Sequence, residues 1–265
     1  MTDQTDASPR IAALTDLLLA ARAEARALPP LDPDLIPVSD EEAEAVDDAV
    51  AAAIDRPVVG WKIGCTSEHA QALLGADGPF AGRVYDIHDS GVTLEPEQFV
   101  TEPVLEGEIA FTFGASLPPR AEAYTRDEIV AAVAAARPAI EIVGGRFEQF
   151  MGSPLRALIA DAGANTRLVL GDPVTEWDPD GLVDAAATMT VDGEVTGSGH
   201  GRDVLGDPIT ALGWLVNRLA GRGITVEAGT TVTTGTATQV SSMPPGSEAT
   251  NTVEGLGSVT ARRAP

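Results

Sequence analysis

Lysine and cysteine occur once each in 265 residues, and histidine three times. The lone Cys65 excludes an intrachain disulfide and any multi-cysteine zinc or iron–sulfur site. His69, His88 and His200 are scattered and make no histidine-based metal motif, so any metal must be held mainly by oxygen. Long apolar runs are missing as well. Stretches such as LLLAA (17–21) fall far short of a membrane span, and the N-terminal MTDQTDASPR has neither the basic nor the apolar region of a signal peptide. A soluble, cytoplasmic protein is the expectation. Positive charge is scarce, with a net charge of −23. That balance argues against nucleic acid and anionic membranes as partners, because both require a basic footprint. The acidic residues spread along the chain, with a local concentration in SDEEAEAVDD (39–48), as on a highly solvated surface.

What is present is enough for one large folded unit: hydrophobic residues make up 44% of the chain. The sequence divides at about residue 57. Before it, Ile11, Leu14, Leu18, Ala21, Ala25 and Leu28 form one helical stripe over 10–28, and Ser39 with Glu42 makes a capping-box signature opening a second helix to about Asp55. Residues 1–56 therefore read as a helical N-terminal segment and 57–265 as the core. From Pro57 the pattern turns to strands: VVGWKIGC, GRVYD, SGVTL, VLEGEIAFTF, AIEIV, LVLG and ATMTVDGEV, then a Gly-rich turn and a strand-and-turn tail from ITVEAG to SVTARR. Short helices interrupt them. One is capped by Thr66 or Ser67 and stopped by Gly75, one runs from Thr125 towards Pro138, and one is opened by Asp207 and Pro208. The fold class is α+β.

Two features of the strands point to chemistry. In VLEGEIAF (104–111), alternation places Glu106 and Glu108 on one face, about 7 Å apart, beside Val104 and Ala110. A second apolar strand, PAIEIVGG, carries the isolated Glu141. Three carboxylates on otherwise buried strands repel each other unless a cation neutralises them, and Mg²⁺ or Mn²⁺ suits such an oxygen-only site. The other feature is Lys62. Sixteen of the 17 basic residues are arginine, so this ammonium stands alone, on a strand face between Gly60 and Gly64 that leaves room above it for a ligand.

The motifs GWKIGCTSEHAQALLG, VLEGEIAFTFG, RPAIEIVGGRF, DPITALGWLVNRLAGRG and TTGTATQVSSMPPGSEATNTVEGLGSV agree in order and spacing with the fumarylacetoacetate hydrolase superfamily. Over residues 55–262 the chain most resembles its 2-keto-4-pentenoate hydratase and 4-oxalocrotonate decarboxylase branch. The resemblance implies a mixed β-roll core with a helical N-terminal part, assembled as a homo-oligomer. It implies a Mg²⁺ or Mn²⁺ ion on Glu106, Glu108 and Glu141, with Lys62 holding the carboxylate or developing oxyanion of a small 2-oxo acid. Asp161 becomes the candidate acid or base, and Thr236 a substrate-facing residue. The implied activity is a lyase adding water to an unsaturated 2-oxo acid such as 2-hydroxypenta-2,4-dienoate. The alternatives are a 4-oxalocrotonate-type decarboxylase, an acylpyruvate C–C hydrolase using Glu68 and His69, and a non-catalytic 2-oxo-acid binder or scaffold for a partner enzyme of a catabolic pathway.

The chain departs from the hydratase pattern at Phe80, where an acidic residue is common, at Gly144, Gly145 and Arg146 in place of Asp-Ser-Arg, and at Ala162 in place of Asn. These changes point to a larger or more apolar substrate. GSGHG (197–201) has the wrong spacing for a dinucleotide loop, which leaves His200 as a solvated loop residue and Cys65 as a small buried hydrophobe.

Overall fold

In the computed structural model, which describes residues 9–265, two helices lead into a pair of sheets. Residues 1–8 of the stretch searched for a targeting signal lie outside the described residues. Helix α1 (Pro9–Ala23) ends short of the predicted Leu28, because Ala25 turns left-handed (φ 48°) and the Leu28 N–H donates to the Arg146 carbonyl at 2.6 Å. Helix α2 (Asp40–Ala53) opens as expected: Ser39 Oγ accepts the Glu42 N–H, and three acids occupy the first turn, where the helix dipole favours them. The apolar faces of both helices, with Leu14, Leu18, Val46 and Val50, meet Phe147, Phe150 and Ile159 in one buried cluster. Among the described residues no helix is long and apolar enough to cross a membrane.

The strands are β1 (Gly60–Gly64), β2 (Phe80–Val84), β3 (Ile87–Asp89), β4 (Val92–Leu94), β5 (Val104–Phe113), β6 (Val133–Val143), β7 (Asn165–Leu170), β8 (Ala186–Val191), β9 (Glu194–His200), β10 (Thr231–Thr236), β11 (Ser241–Ser242), β12 (Glu248–Val253) and β13 (Gly257–Arg263). The remaining helices are α3 (Glu68–Leu74), α4 (Arg126–Ala132), α5 (Leu155–Ala160) and α6 (Pro208–Gly221). A mixed sheet of eight strands runs β2-β1-β10-β5-β6-β7-β3, with β11 also on β5, and a smaller one runs β4-β13-β12-β8-β9. Leu105, Ile140 and Ile142 of the large sheet pack against Met189, Ala249 and Val259 of the small one. Elsewhere Ile63, Phe111 and Phe113 of the large sheet share a cluster with Leu212, Leu215 and Leu219 of α6. The architecture is the expected α+β roll with a helical N-terminal part.

Two segments differ from expectation. The Ala-rich run after Thr125 leaves the helix at Ala132 and becomes strand, pairing with β5 from Val133 to Val143. Long pairing with a buried partner outweighs the helix preference of Ala134, Ala135 and Ala136. Pro138 sits inside this strand rather than before it. Its carbonyl faces the β7 side and accepts the Gly171 N–H at 2.9 Å, and the Gly171 carbonyl, which an N–H at this position would have met, takes the Arg137 guanidinium instead at 3.2 Å. The glycine-rich segment after Val195 is likewise strand, not turn. Cβ atoms at Gly197 and Gly199 would come within 2.8 and 2.3 Å of the carbonyls of Gln239 and Ala237, and only glycine permits that approach.

Candidate metal centre and substrate cavity

The centre of the large sheet aligns the expected residues. Register places Glu106 directly opposite Glu141 across β5 and β6, and Lys62 beside Thr233 across β1 and β10. Strand β10 shifts register between Thr233 and Thr236, with Gly235 left-handed at φ 97°. This irregularity aims two donors at one carboxylate: Thr233 Oγ1 and the Gly235 N–H (2.7 Å) both donate to Glu108 Oε2. On the other side Asn165 Nδ2 donates to Glu141 Oε1 at 2.9 Å, and Lys62 Nζ stands 3.4 Å from the same oxygen. In each fully buried glutamate one oxygen is thus fastened by protein while the other, Oε1 of Glu108 and Oε2 of Glu141, has no partner.

Orphaned buried carboxylate oxygens are costly, and a cation is the group that removes the cost. One oxygen from each of Glu106, Glu108 and Glu141 lies within 4.8 Å of the others, a hard-donor set that fits a divalent cation. Electrostatics agree. Burial first, then Glu141 and Glu106, hold the Glu108 carboxyl well above the usual carboxylate range. Burial also raises Glu106, assisted by Glu141 and opposed by Lys62. Burial alone would push the Lys62 ammonium down, but Glu141, Glu106 and Glu108 outweigh it and raise its pKa, so the side chain stays charged.

Lys62 and Glu106 open onto a cavity of about 140 Å³ whose wall also includes Phe80, Phe150, Leu158 and Thr236. Thr236 therefore lies where expected, its hydroxyl donating to the Thr238 carbonyl at 3.0 Å. The glycines flanking Lys62 do not leave the space foreseen for a ligand. A Cβ on Gly64 would lie 2.2 Å from the Phe80 ring, and one on Gly60 2.5 Å from the Thr231 carbonyl oxygen, so protein already fills both places. The ring centroid of Phe80 is 5.3 Å from Lys62 Nζ. Three successive left-handed residues, Ala162, Gly163 and Ala164 (φ 54°, 64° and 60°), carry the chain past the lysine stem. Cys65 lines the cavity, and burial pushes its thiol up to about 11, as suits an inert hydrophobe.

Asp161, expected as acid or base, is placed elsewhere. It is fully buried and does not line the cavity; its Oδ1 receives Arg22 at 2.9 Å and its Oδ2 the Arg146 backbone N–H at 2.8 Å, with the Arg146 guanidinium 3.4 Å away. These contacts make it a brace between α1 and the core. Asp161→Ala is expected to cost about 3–5 kcal/mol by leaving two arginines unpaired in a buried site. A shifted urea midpoint would register this, whereas an acid–base role would show as lost turnover at unchanged stability. Glu68 and His69 are exposed on α3 and also stay outside the cavity wall. His200 ends β9 on the surface. Sequence reasoning missed Asn165, Thr233 and Gly235, which steer the glutamates.

The family described as fumarylacetoacetate (FAA) hydrolase, C-terminal, matches residues 71–263. The chain belongs to this family. Among curated proteins it is 33% identical over 208 residues to the 4-oxalocrotonate decarboxylase of Pseudomonas putida, covering 77% of each chain. It is 31% identical to 2-keto-4-pentenoate hydratase 1 of Dechloromonas aromatica (strain RCB), covering 92% of this chain and 94% of that one. Among solved structures, 4-oxalocrotonate decarboxylase from Pseudomonas putida G7, complexed with magnesium and adipate, superposes with a TM-score of 0.86 at 27% identity. That match covers 96% of this chain and 97% of the other. Both the branch and the roll inferred from the sequence are those of these relatives.

Proposed function

We propose that the protein is a divalent-metal-dependent lyase that adds water to an unsaturated 2-oxo acid such as 2-hydroxypenta-2,4-dienoate, giving 4-hydroxy-2-oxopentanoate. The observation that carries this reading is the division of labour in Glu108 and Glu141, each held by one oxygen and free at the other. Glu106, Glu108 and Glu141 would hold Mg²⁺ or Mn²⁺, which supplies a Lewis acid that favours the enolate form of a 2-oxo acid. Lys62 has donors to spare beyond Glu141 and is kept charged, so it binds the substrate carboxylate and balances negative charge developing beside it. Phe80 and Phe150 narrow the cavity around that carboxylate and limit the water that enters. Thr236 lines the same wall and orients the bound acid.

A scaffold has no physical need for unpartnered buried carboxylates beside a buried ammonium, which disfavours the non-catalytic alternative. The exposed positions of Glu68 and His69 give the C–C hydrolase reading no support. Homo-oligomeric assembly, a partner enzyme in the same catabolic pathway and a cytoplasmic location belong to the same proposal. The test follows the ultraviolet absorbance of 2-hydroxypenta-2,4-dienoate with Mg²⁺ and identifies the product by mass. A water adduct that disappears on chelation is expected. Turnover of 4-oxalocrotonate with release of CO₂ and no hydration of the dienoate would move the protein to the decarboxylase reading. No metal-dependent turnover of either would sink the proposal.

A further inference from the structure

We infer that the substrate of this site carries a single carboxylate and an uncharged, apolar tail, and that an acid with a second carboxylate at its far end is rejected. The inference rests on the metal-dependent 2-oxo-acid reading above and specifies the acid. The first ground is charge. Three glutamates, one lysine and one divalent cation balance to zero, and among the described residues Lys62 is the only cation lining the cavity, since none of the sixteen arginines reaches it. The substrate's first carboxylate, held by Lys62 and the metal, already takes the site to a net negative charge, and a second would add to it with no cation to meet it.

The second ground is the wall. Beyond Lys62 the cavity is bounded by Leu73, Leu74, Phe80, Phe150, Met151 and Val240. Of the hydroxyls on the wall, Ser67 Oγ caps α3 by accepting the Ala70 N–H and Thr236 Oγ1 donates to the Thr238 carbonyl, while Thr66 is buried beside Gly235. A terminal carboxylate placed there would lose water and gain no cation in its place. A hydrocarbon tail would gain contact with every one of these side chains.

The third ground is exposure. Leu73, Met151 and Val240 are 68%, 55% and 43% exposed and account for three of the six exposed large hydrophobics among the described residues, all at the rim of this one cavity. They come from α3, from the turn after β6 and from the loop before β11, segments far apart in sequence that converge only here. A tail leaving the cavity runs between them and covers apolar surface that otherwise faces water. Phe80 directs it that way, standing next to Lys62 at the point where the carbon chain leaves the carboxylate.

The test uses calorimetry on the Mg²⁺-loaded protein with two acids of equal length, 2-oxohexanoate and 2-oxohexanedioate, which differ only in a terminal methyl against a terminal carboxylate. 2-Oxohexanoate is expected to bind at least about tenfold more tightly, as an unpaired charge against an apolar wall requires. In Met151→Arg the preference should narrow or reverse through a gain for the dioate, with little loss for the monoacid. Equal affinities in the wild type, or tighter binding of the dioate, would overturn the inference while leaving the metal-dependent reading intact. So would a Met151→Arg variant with the wild-type ratio. If neither acid binds, or binding survives in Glu108→Gln, the metal-dependent reading itself fails, and the tail assignment with it.

Discussion

Glu108→Gln is expected to leave a folded protein that no longer retains Mg²⁺ and turns over its 2-oxo acid about 10³-fold more slowly. Glutamine keeps the shape and a carbonyl oxygen for the Gly235 N–H, so the strand has little reason to move. What it loses is the charge that faces the cation. Lewis-acid stabilisation contributes several kcal/mol, and each ~1.4 kcal/mol is tenfold in rate. The same carboxyl sets a pH dependence in the wild type. Without a cation, burial and the neighbouring Glu141 and Glu106 hold Glu108 well above the usual carboxylate range. A group raised in the folded state contributes stability at low pH that is lost as pH rises through its raised pKa. The metal-free protein should therefore weaken as pH rises from the ordinary carboxylate range through the raised pKa of Glu108, and Mg²⁺ should restore it, by about 2.7 kcal/mol at a hundredfold excess over Kd. Because binding must expel the proton, Mg²⁺ affinity should rise over the same interval. Calorimetry across a pH series measures this for wild type and Glu108→Gln. Unchanged Mg²⁺ affinity in the variant would remove Glu108 from the metal centre.

The parts of this site legible in the sequence are those that violate a local rule. Two glutamates on the buried face of an apolar strand, a third on the neighbouring apolar strand and a single lysine in an arginine-writing chain each stand out where they occur. Strand alternation alone then puts Glu106 and Glu108 on one face, and the observed register sets Glu106 opposite Glu141. What was not legible depends on contacts between distant segments. Asp161 in the run DAGA reads as a turn residue, and nothing nearby announces that Arg22, 139 positions away, would claim it. Asn165 and Thr233 look like ordinary strand residues until the register brings their side chains to Glu141 and Glu108.

The glycines illustrate the same limit from the other side. Beside Lys62 they promised open space, yet the space belongs to Phe80 and to the Thr231 backbone. Gly197 and Gly199 promised a turn, yet they let β9 lie against the backbone of residues 237–239. A glycine states that something must come close. Only the fold shows whether that is a ligand, a side chain or another strand.

Replacing Lys62 should separate substrate binding from metal binding. Lys62→Met preserves much of the buried volume and removes the charge, and kcat/KM is expected to fall by about 10²–10³, the loss typical of a donor aimed at developing negative charge. Mg²⁺ affinity should move the other way or stay level, because the ammonium 3.4 Å from Glu141 competes with a cation for the same carboxylates. This is the reverse of the Glu108→Gln pattern, so the two variants assign metal and substrate roles without reference to each other. Lys62→Arg should not rescue activity. Positions for a Cβ on Gly82 and Gly163 lie 3.0 and 3.2 Å from the lysine stem, which leaves the surrounding turn no room for a planar guanidinium in place of a compact ammonium. Stopped-assay kinetics with Mg²⁺ titrations decide it. Wild-type turnover in Lys62→Met would strip Lys62 of its role, and loss of Mg²⁺ along with turnover would mean that the lysine organises the glutamates instead of holding the substrate.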